Sequence, residues 1–311
     1  RSTLFPYTTL FRSGRRHDNT ITVASGKALT VKSAADLDLH ATVTGDLNLE
    51  MADTKTATLN KNVDGKVGFK APSGGGTATL ELAAQAFARK VDFTAATPGD
   101  TFKLKLGENS AIGTLSFVRT SAGLEVESVG AARAYIDFLA PDAVNVATLK
   151  LTGAQPLSIV DGTPSVKWNA ELAAGAKLAV KGKDLLAGDV NVKLAGGTLN
   201  LPSGTFSELN LETTAANSEI VVDAATDEPV LKVKKVTLAN DLKMARPKTW
   251  WKNLLLGDTV TLLEMTDDSG LAAHNITSDP EDEWAKTDFS ADHKLVLTVK
   301  KPRRPDRKSV V

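Results

Sequence analysis

Residues 190–211 read Val-Asn-Val-Lys-Leu-Ala-Gly-Gly-Thr-Leu-Asn-Leu-Pro-Ser-Gly-Thr-Phe-Ser-Glu-Leu-Asn-Leu. Three times in this stretch two apolar residues flank one asparagine, at Val190–Val192, Leu199–Leu201 and Leu209–Leu211. Because successive side chains of a strand point to opposite faces, the flanking residues share one face and the asparagine lies on the other. Each unit therefore predicts a short strand with one dry face and one wet face.

The same unit recurs through most of the chain. Nineteen copies begin between Leu37 and Leu231, at a mean spacing of about 11 residues, and one of them is Val166–Trp168. The middle residue is polar in 16 of the 19 copies. Glycine, asparagine, aspartate, serine and proline, the residues that favour turns, lie between the copies. This regular alternation of strand and turn predicts an all-β repeat protein.

A parallel β-helix explains the uniform spacing best. Two units make one coil of about 21–22 residues, and coils must stack because one coil alone cannot bury its apolar side chains. Stacked antiparallel sandwiches also place strands every 8–12 residues and remain an alternative. They should carry many two-residue hairpin signals, whereas Asp64-Gly65 and Asp161-Gly162 are the only clear Asp-Gly pairs.

The two ends of the chain do not follow the repeat. Residues 1–13 resemble the translation of a sequencing adapter without a mismatch, and residues 306–311 resemble its reverse complement. We expect the natural sequence to run from about Gly14 to Pro305. Within it we predict parallel β-helix repeats over residues 14–245 and a C-terminal β cap over residues 246–305.

Composition narrows the classes of function. The formal net charge is zero, and it becomes −3 without the two adapter-like ends, so no basic field for nucleic acid exists. The chain has no cysteine, which removes disulfides and thiolate metal sites. No run approaches the roughly 18 apolar residues of a membrane helix. Four histidines and two tyrosines make a poor catalytic inventory, and we expect no cofactor.

The middle residues of the units predict the side chains that face outward. Stacked carboxylates such as Asp92 and Asp137 could bind calcium or take part in polysaccharide cleavage. A solvated strand face explains the same residues, and lysines take equivalent positions. The outward residues are predicted to include Asp38, Asn48, Glu81, Asp92, Glu125, Asp137, Asn191, Asn200, Asn210, Lys105, Lys150, Lys167 and Lys232.

Two adjacent tryptophans, Trp250 and Trp251, form a second candidate ligand face. Beside Lys248 and Lys252 they could make a platform on which sugar rings stack. Packing inside the predicted cap is the simpler explanation.

The C-terminal part resembles a known family. Gly-Asp-Thr-Val-Thr-Leu-Leu at residues 257–263 and Leu-Val-Leu-Thr-Val at residues 295–299 resemble the closing strands of bacterial autotransporter-type passengers. Residues 195–201 and 205–211 are similar to that family's strand repeats. The resemblance implies a right-handed β-helix, export, and display or release at the outer surface of a bacterial cell.

Two hypotheses of function follow. The first is a non-enzymatic surface or secreted rod, monomeric, that serves display or adhesion and binds host or matrix molecules or glycans. The second is a carbohydrate-active β-helix enzyme, either a polysaccharide lyase or a glycoside hydrolase. An enzyme should bring several carboxylates or arginines together in one cleft, whereas a rod should present mixed charges along its faces.

Overall fold

The structure is a computed structural model of the 311-residue chain. It describes residues 19–70, 72, 76–94, 101–117, 124–129, 134–136, 139–141, 147–160, 167–223, 231–245, 255–267, 276–278, 285–290 and 293–300. The chain divides into two compact units, Arg1–Gly162 and Thr163–Val311.

The first unit consists of short strands joined by tight corners. Its strands are β1 (Thr20–Thr22), β2 (Ala28–Ser33), β3 (Leu37–Leu39), β4 (Thr42–Thr44), β5 (Asp46–Met51), β6 (Thr56–Leu59), β7 (Val63–Lys70), β8 (Thr77–Leu82), β9 (Phe87–Thr94), β10 (Thr101–Leu106), β11 (Ala111–Phe117), β12 (Leu124–Ser128), β13 (Ala134–Ile136), β14 (Leu139–Pro141), β15 (Ala147–Thr152) and β16 (Pro156–Ile159).

These strands form two parallel sheets. One sheet, called sheet A, has the order β1-β4-β7-β9-β11-β13-β16, with β5 and β2 extending from β7 and with β14 beside β11. The other, sheet B, has the order β3-β6-β8-β10-β12-β15. From β6 to β12 successive strands alternate between the two sheets, so the chain winds through sheet B and sheet A once per coil.

The second unit repeats this pattern. Its elements are β17 (Trp168–Leu172), β18 (Lys177–Val180), a 3-10 turn (Asp184–Leu186), β19 (Val190–Ala195), β20 (Thr198–Pro202), β21 (Gly204–Ala215), β22 (Ser218–Asp223), β23 (Leu231–Leu238), β24 (Leu242–Ala245), β25 (Thr259–Met265), β26 (Ile276–Ser278), β27 (Ala285–Ser290) and β28 (Lys294–Val299).

Parallel pairing in this unit gives way to antiparallel pairing near its end. Sheet A of this unit runs β18-β20-β22-β24-β26, and sheet B runs β17-β19-β21-β23-β25. Beyond β25, β28 pairs with it antiparallel and β27 pairs antiparallel with β28. The two sequence motifs that resemble passenger closing strands thus lie on β25 and β28 and are hydrogen-bonded neighbours.

The predicted parallel β-solenoid is confirmed, and the antiparallel sandwich alternative is wrong. Leu178 pairs with Leu199, and Leu199 pairs with Ile220, so each of these coils has the length predicted from the repeat. The coil that pairs Leu124 with Leu149 is longer, because the corners absorb the variation. The adapter-like ends lie outside the described residues, so that interpretation stays a prediction.

The flanking residues of the repeat units fill the interior. Leu47, Val67 and Val91 occupy one register position on successive coils and are fully buried. Phe69 and Phe93 occupy the next inward position, and their ring centroids lie 5.7 Å apart in an edge-to-face arrangement. Burying one such side chain stabilises the fold by roughly 1.5–3 kcal/mol. The stacking of apolar side chains at equivalent inward positions therefore stabilises the coiled arrangement of the chain.

The corners follow a repeated turn. Ala52–Lys55, Ala83–Ala86 and Gly107–Ser110 each close with a hydrogen bond from the last N–H to the first carbonyl. The third residue of each turn has positive φ, at Thr54, Gln85 and Asn109. Glycine takes that position at Gly175, where φ is +76°. Because residues other than glycine and asparagine rarely adopt this backbone conformation, the turns at Thr54 and Gln85 each store strain of roughly 1–2 kcal/mol.

Corner aspartates and asparagines link one coil to the next. The carboxylate of Asp36 accepts the N–H of Thr56, and that of Asp53 accepts the N–H of Thr77. These side chains satisfy backbone donors where the sheet ladder ends.

Among the residues the structure describes, no helix is long and apolar enough to cross a membrane.

Candidate functional site

Only one of the four predicted site residues lies within the described residues. Asp92 lies on β9 and faces outward from sheet A, as predicted. Asp137, Trp250 and Trp251 lie outside the described residues, so their proposed roles stay predictions.

Asp92 is an ion-paired carboxylate. Its register partners on the two neighbouring strands are Gly68 and Ser116. Its Oδ1 atom is buried and lies 3.3 Å from the Nζ atom of Lys90, without the geometry of a hydrogen bond. On the far side of Gly68, the side chain of Asn48 occupies the space that a Cβ atom would need. A carboxylate held by a lysine is a structural ion pair, and neither of its described register partners, Gly68 and Ser116, is an acid.

Charged side chains of opposite sign alternate along sheet B of the first unit. One outward column runs Lys103, Glu125, Lys150 and the adjacent column runs Glu81, Lys105, Glu127 on consecutive strands. Lys103 Nζ donates to Glu125 Oε1 at 3.1 Å. Register pairing therefore places each of these acids beside a base on a neighbouring coil.

Sheet A of the first unit holds a pair of the same kind. Lys32 Nζ lies 2.8 Å from Glu50 Oε2. The hydrogen bond from Lys32 lowers the pKa of Glu50, against the opposing effect of burial, and the charges of Lys32 and Lys70 lower the pKa further. Glu50 is thus ionised at neutral pH and is poorly suited to donate a proton.

A third pair joins the parallel and antiparallel parts of the second unit. Glu264 on β25 accepts a 2.6 Å hydrogen bond from Lys232 on β23 and lies 3.7 Å from Lys294 on β28. The hydrogen bond from Lys232 lowers the pKa of Glu264, burial opposes it, and the charges of Lys232 and Lys294 add to the lowering. This carboxylate ties three neighbouring strands together.

The outward face of sheet B in the second unit carries a ladder of asparagine amides. Asn169, Asn191 and Asn210 are register partners on β17, β19 and β21. Asn191 Nδ2 donates to Asn169 Oδ1 at 3.0 Å, and Asn210 Nδ2 donates to Asn191 Oδ1 at 3.0 Å. All three side chains are half-buried. The in-register stacking fixes their direction, so the amides form one continuous hydrogen-bonded row.

A groove of about 450 Å³ lies over this asparagine ladder. The column beside the ladder alternates Glu171, Lys193 and Glu212 in register. On the next strand Lys235 follows Asn210, and Thr237 follows Glu212. The groove thus has an amide floor and a wall of alternating charges.

Sequence reasoning identified part of this groove. Asn191 and Asn210 are outward, as predicted, whereas Asn169 was missed because the repeat pattern places its unit at Val166–Trp168. Trp168 is buried, and the strand continues through Asn169 to a small inward residue, Ala170, which carries little apolar signal. Asn200, also predicted outward, lies on sheet A instead and contributes nothing to the groove.

Metal chemistry has no support within the described ranges, where no group of three histidines, aspartates or glutamates could hold an ion.

Comparison with protein-family models, with curated proteins and with solved structures finds no match to this chain. The fold and the polar outward faces define the class of protein as a β-solenoid.

Proposed function

We propose that this β-solenoid is a non-enzymatic, adhesin-like module of the passenger type, secreted or displayed at a bacterial cell surface. It acts by presenting its outward faces to host or matrix molecules or glycans. The observation that carries the proposal is the register-matched order of those faces. Polar side chains on successive coils form long columns, and each column is an extended surface suited to an extended partner.

The state of three described carboxylates favours binding over catalysis. Glycoside cleavage needs a proton donor with a raised pKa next to a second carboxylate. Here the pKa values of Glu50 and Glu264 are lowered by lysines, and Asp92 is ion-paired with Lys90. Carboxylates held ionised in this way stabilise neighbouring coils and stay charged on the surface.

The dry interior supports a presenting role as well. Each coil stacks its apolar residues on the next, so stability depends on neighbouring coils and leaves the outward side chains free to vary. A scaffold of this kind holds surface groups at a fixed spacing.

Adhesion of beads coated with the purified chain tests the proposal. Beads should attach saturably to at least one surface in a panel of epithelial cells, extracellular-matrix proteins and bacterial envelope polysaccharides. Beads coated with the heat-unfolded chain serve as the control and should not attach. Attachment no greater than the control on every surface would overturn the proposal.

A second measurement separates the enzyme alternative. The purified chain is incubated with polygalacturonate, alginate and neutral glucans, and the release of reducing ends and unsaturated products is followed. We expect no release above the heat-unfolded control. Depolymerisation of any of these polymers would replace the adhesion proposal with the carbohydrate-active one.

A further inference from the structure

The asparagine ladder keeps hydrogen-bonding capacity beyond what it uses internally. A side-chain amide has two N–H donors and a carbonyl oxygen with two lone pairs. Asn191 uses one donor and one lone pair in the ladder. Within the described structure, Asn169 keeps two donors and one lone pair. The amide nitrogen of Asn210 donates to Asn191 and also approaches the carbonyl oxygen of Glu208 at 3.5 Å. Both N–H donors of Asn210 are therefore used, and its carbonyl oxygen remains available.

These remaining groups repeat at a fixed distance. Neighbouring strands of a sheet are about 4.8 Å apart, and register pairing places one amide on each strand. A ligand lying across the strands therefore meets a donor or an acceptor once per strand. That repeat is close to the length of one sugar ring along an extended polysaccharide, whose hydroxyl groups both donate and accept hydrogen bonds.

The charges of the groove select against a charged ligand. Glu171 and Glu212 are balanced by Lys193 and Lys235, so the groove carries no net charge. A polyanion would need a predominantly basic surface, and a polycation would need an acidic one. A half-buried amide floor between balanced charges matches an uncharged ligand rich in hydroxyl groups.

We propose that the groove over Asn169, Asn191 and Asn210 binds a linear, uncharged polysaccharide that lies across the strands of sheet B. This deepens the proposed adhesive function and rests on it, since it assigns the ligand class and the face that takes it. Asn191 is the central residue because it is hydrogen-bonded on both sides. The lysines and glutamates beside it contact hydroxyl groups at the edge of the chain of sugars.

Affinity electrophoresis of the full chain tests the groove. Native gels contain one of four uncharged polysaccharides, namely a β-1,4-glucan, a β-1,3-glucan, an α-1,4-glucan or a galactomannan, and further gels contain polygalacturonate. We expect at least one uncharged polymer to retard the chain and polygalacturonate to leave its mobility unchanged. Asn191→Leu keeps the size of the side chain but removes its hydrogen bonds, and it should weaken binding at least about tenfold.

Asn200→Leu is the matched control. It makes the same chemical change in the same unit but on sheet A, where the neighbours of Asn200 in register are Ala179 and Val221. Its retardation should equal that of the unchanged protein, and far-UV circular dichroism checks that both variants remain folded. Equal retardation of Asn191→Leu and the unchanged protein would overturn the proposal, as would retardation by none of the four uncharged polymers.

The two proposals fail separately. If coated beads attach to cells or matrix and Asn191→Leu leaves that attachment unchanged, adhesion stands and the groove assignment is wrong. If the chain binds an uncharged polysaccharide through Asn191 while the beads attach to no surface, the groove stands and the adhesive role is wrong.

Discussion

Phe93→Ala tests whether the interior aromatic stack stabilises the first unit. Phe93 lies on β9 with 1% of its surface exposed. Its ring centroid is 5.7 Å from that of Phe69 and 5.0 Å from that of Phe102. Removal of a buried phenylalanine ring costs about 3–5 kcal/mol, because apolar burial is lost and a cavity is left. For a unit of this size that corresponds to a fall in Tm of about 6–20 °C.

The same strand offers a control of identical chemistry. Phe87 also lies on β9, but 36% of its surface is exposed. We expect Phe87→Ala to cost about 1 kcal/mol or less, because exposed substitutions leave no cavity. Thermal and urea unfolding followed by far-UV circular dichroism measure both variants. Equal losses for the two, or a loss below about 1 kcal/mol for Phe93→Ala, would refute the placement of Phe93 in a shared interior.

Three further substitutions test the corners and the terminal strands. Gly175→Ala should lower the free energy of unfolding in urea by about 1–2 kcal/mol. The cost comes from the φ of +76° alone, because a Cβ at this position meets nothing within 4 Å. An unchanged stability would contradict the corner conformation. Gly65→Ala should cost more than Gly175→Ala, because its Cβ would overlap the backbone of the preceding coil. Glu264→Gln should lower the free energy of unfolding at pH 7 by less than about 1 kcal/mol, and the Tm should fall accordingly. Because the folded pKa of Glu264 lies below 4.5, its contribution is present above that pH and disappears as pH falls through the folded pKa. The Tm difference between Glu264→Gln and the unchanged protein should therefore shrink as the pH falls through the lowered pKa of Glu264, and a constant difference would contradict the ion pair.

The strands and their parallel order could be predicted from the sequence because both depend on period-two alternation and regular spacing. The alternation places Leu199 and Leu201 inward and Asn200 outward, and the structure agrees. Regular spacing without hairpin signals favours coils over antiparallel pairs. These are local properties, which a single sequence carries in full.

The groove was not predictable to the same extent, because it depends on which coils lie in register. The coil from Asn191 to Asn210 is shorter than the coil from Asn169 to Asn191, yet all three asparagines pair in register. Corners of unequal length set those offsets. The face that carries a side chain was therefore predictable, and its neighbour on the next coil was not.

Disulfide cross-linking tests the parallel register most directly. Because the chain has no cysteine of its own, only the introduced pair can form a disulfide within it. Lys103 pairs with Glu125 and Lys105 pairs with Glu127 on the outward face of sheet B. Four double-cysteine variants compare these two pairs with the crossed pairs, residues 103 with 127 and 105 with 125. Diagonal neighbours are about 7–8 Å apart, which is too far for an unstrained disulfide. After mild oxidation and mass spectrometry, both register pairs should be linked and both crossed pairs should stay reduced. Linked crossed pairs with reduced register pairs would show antiparallel neighbours and contradict the solenoid.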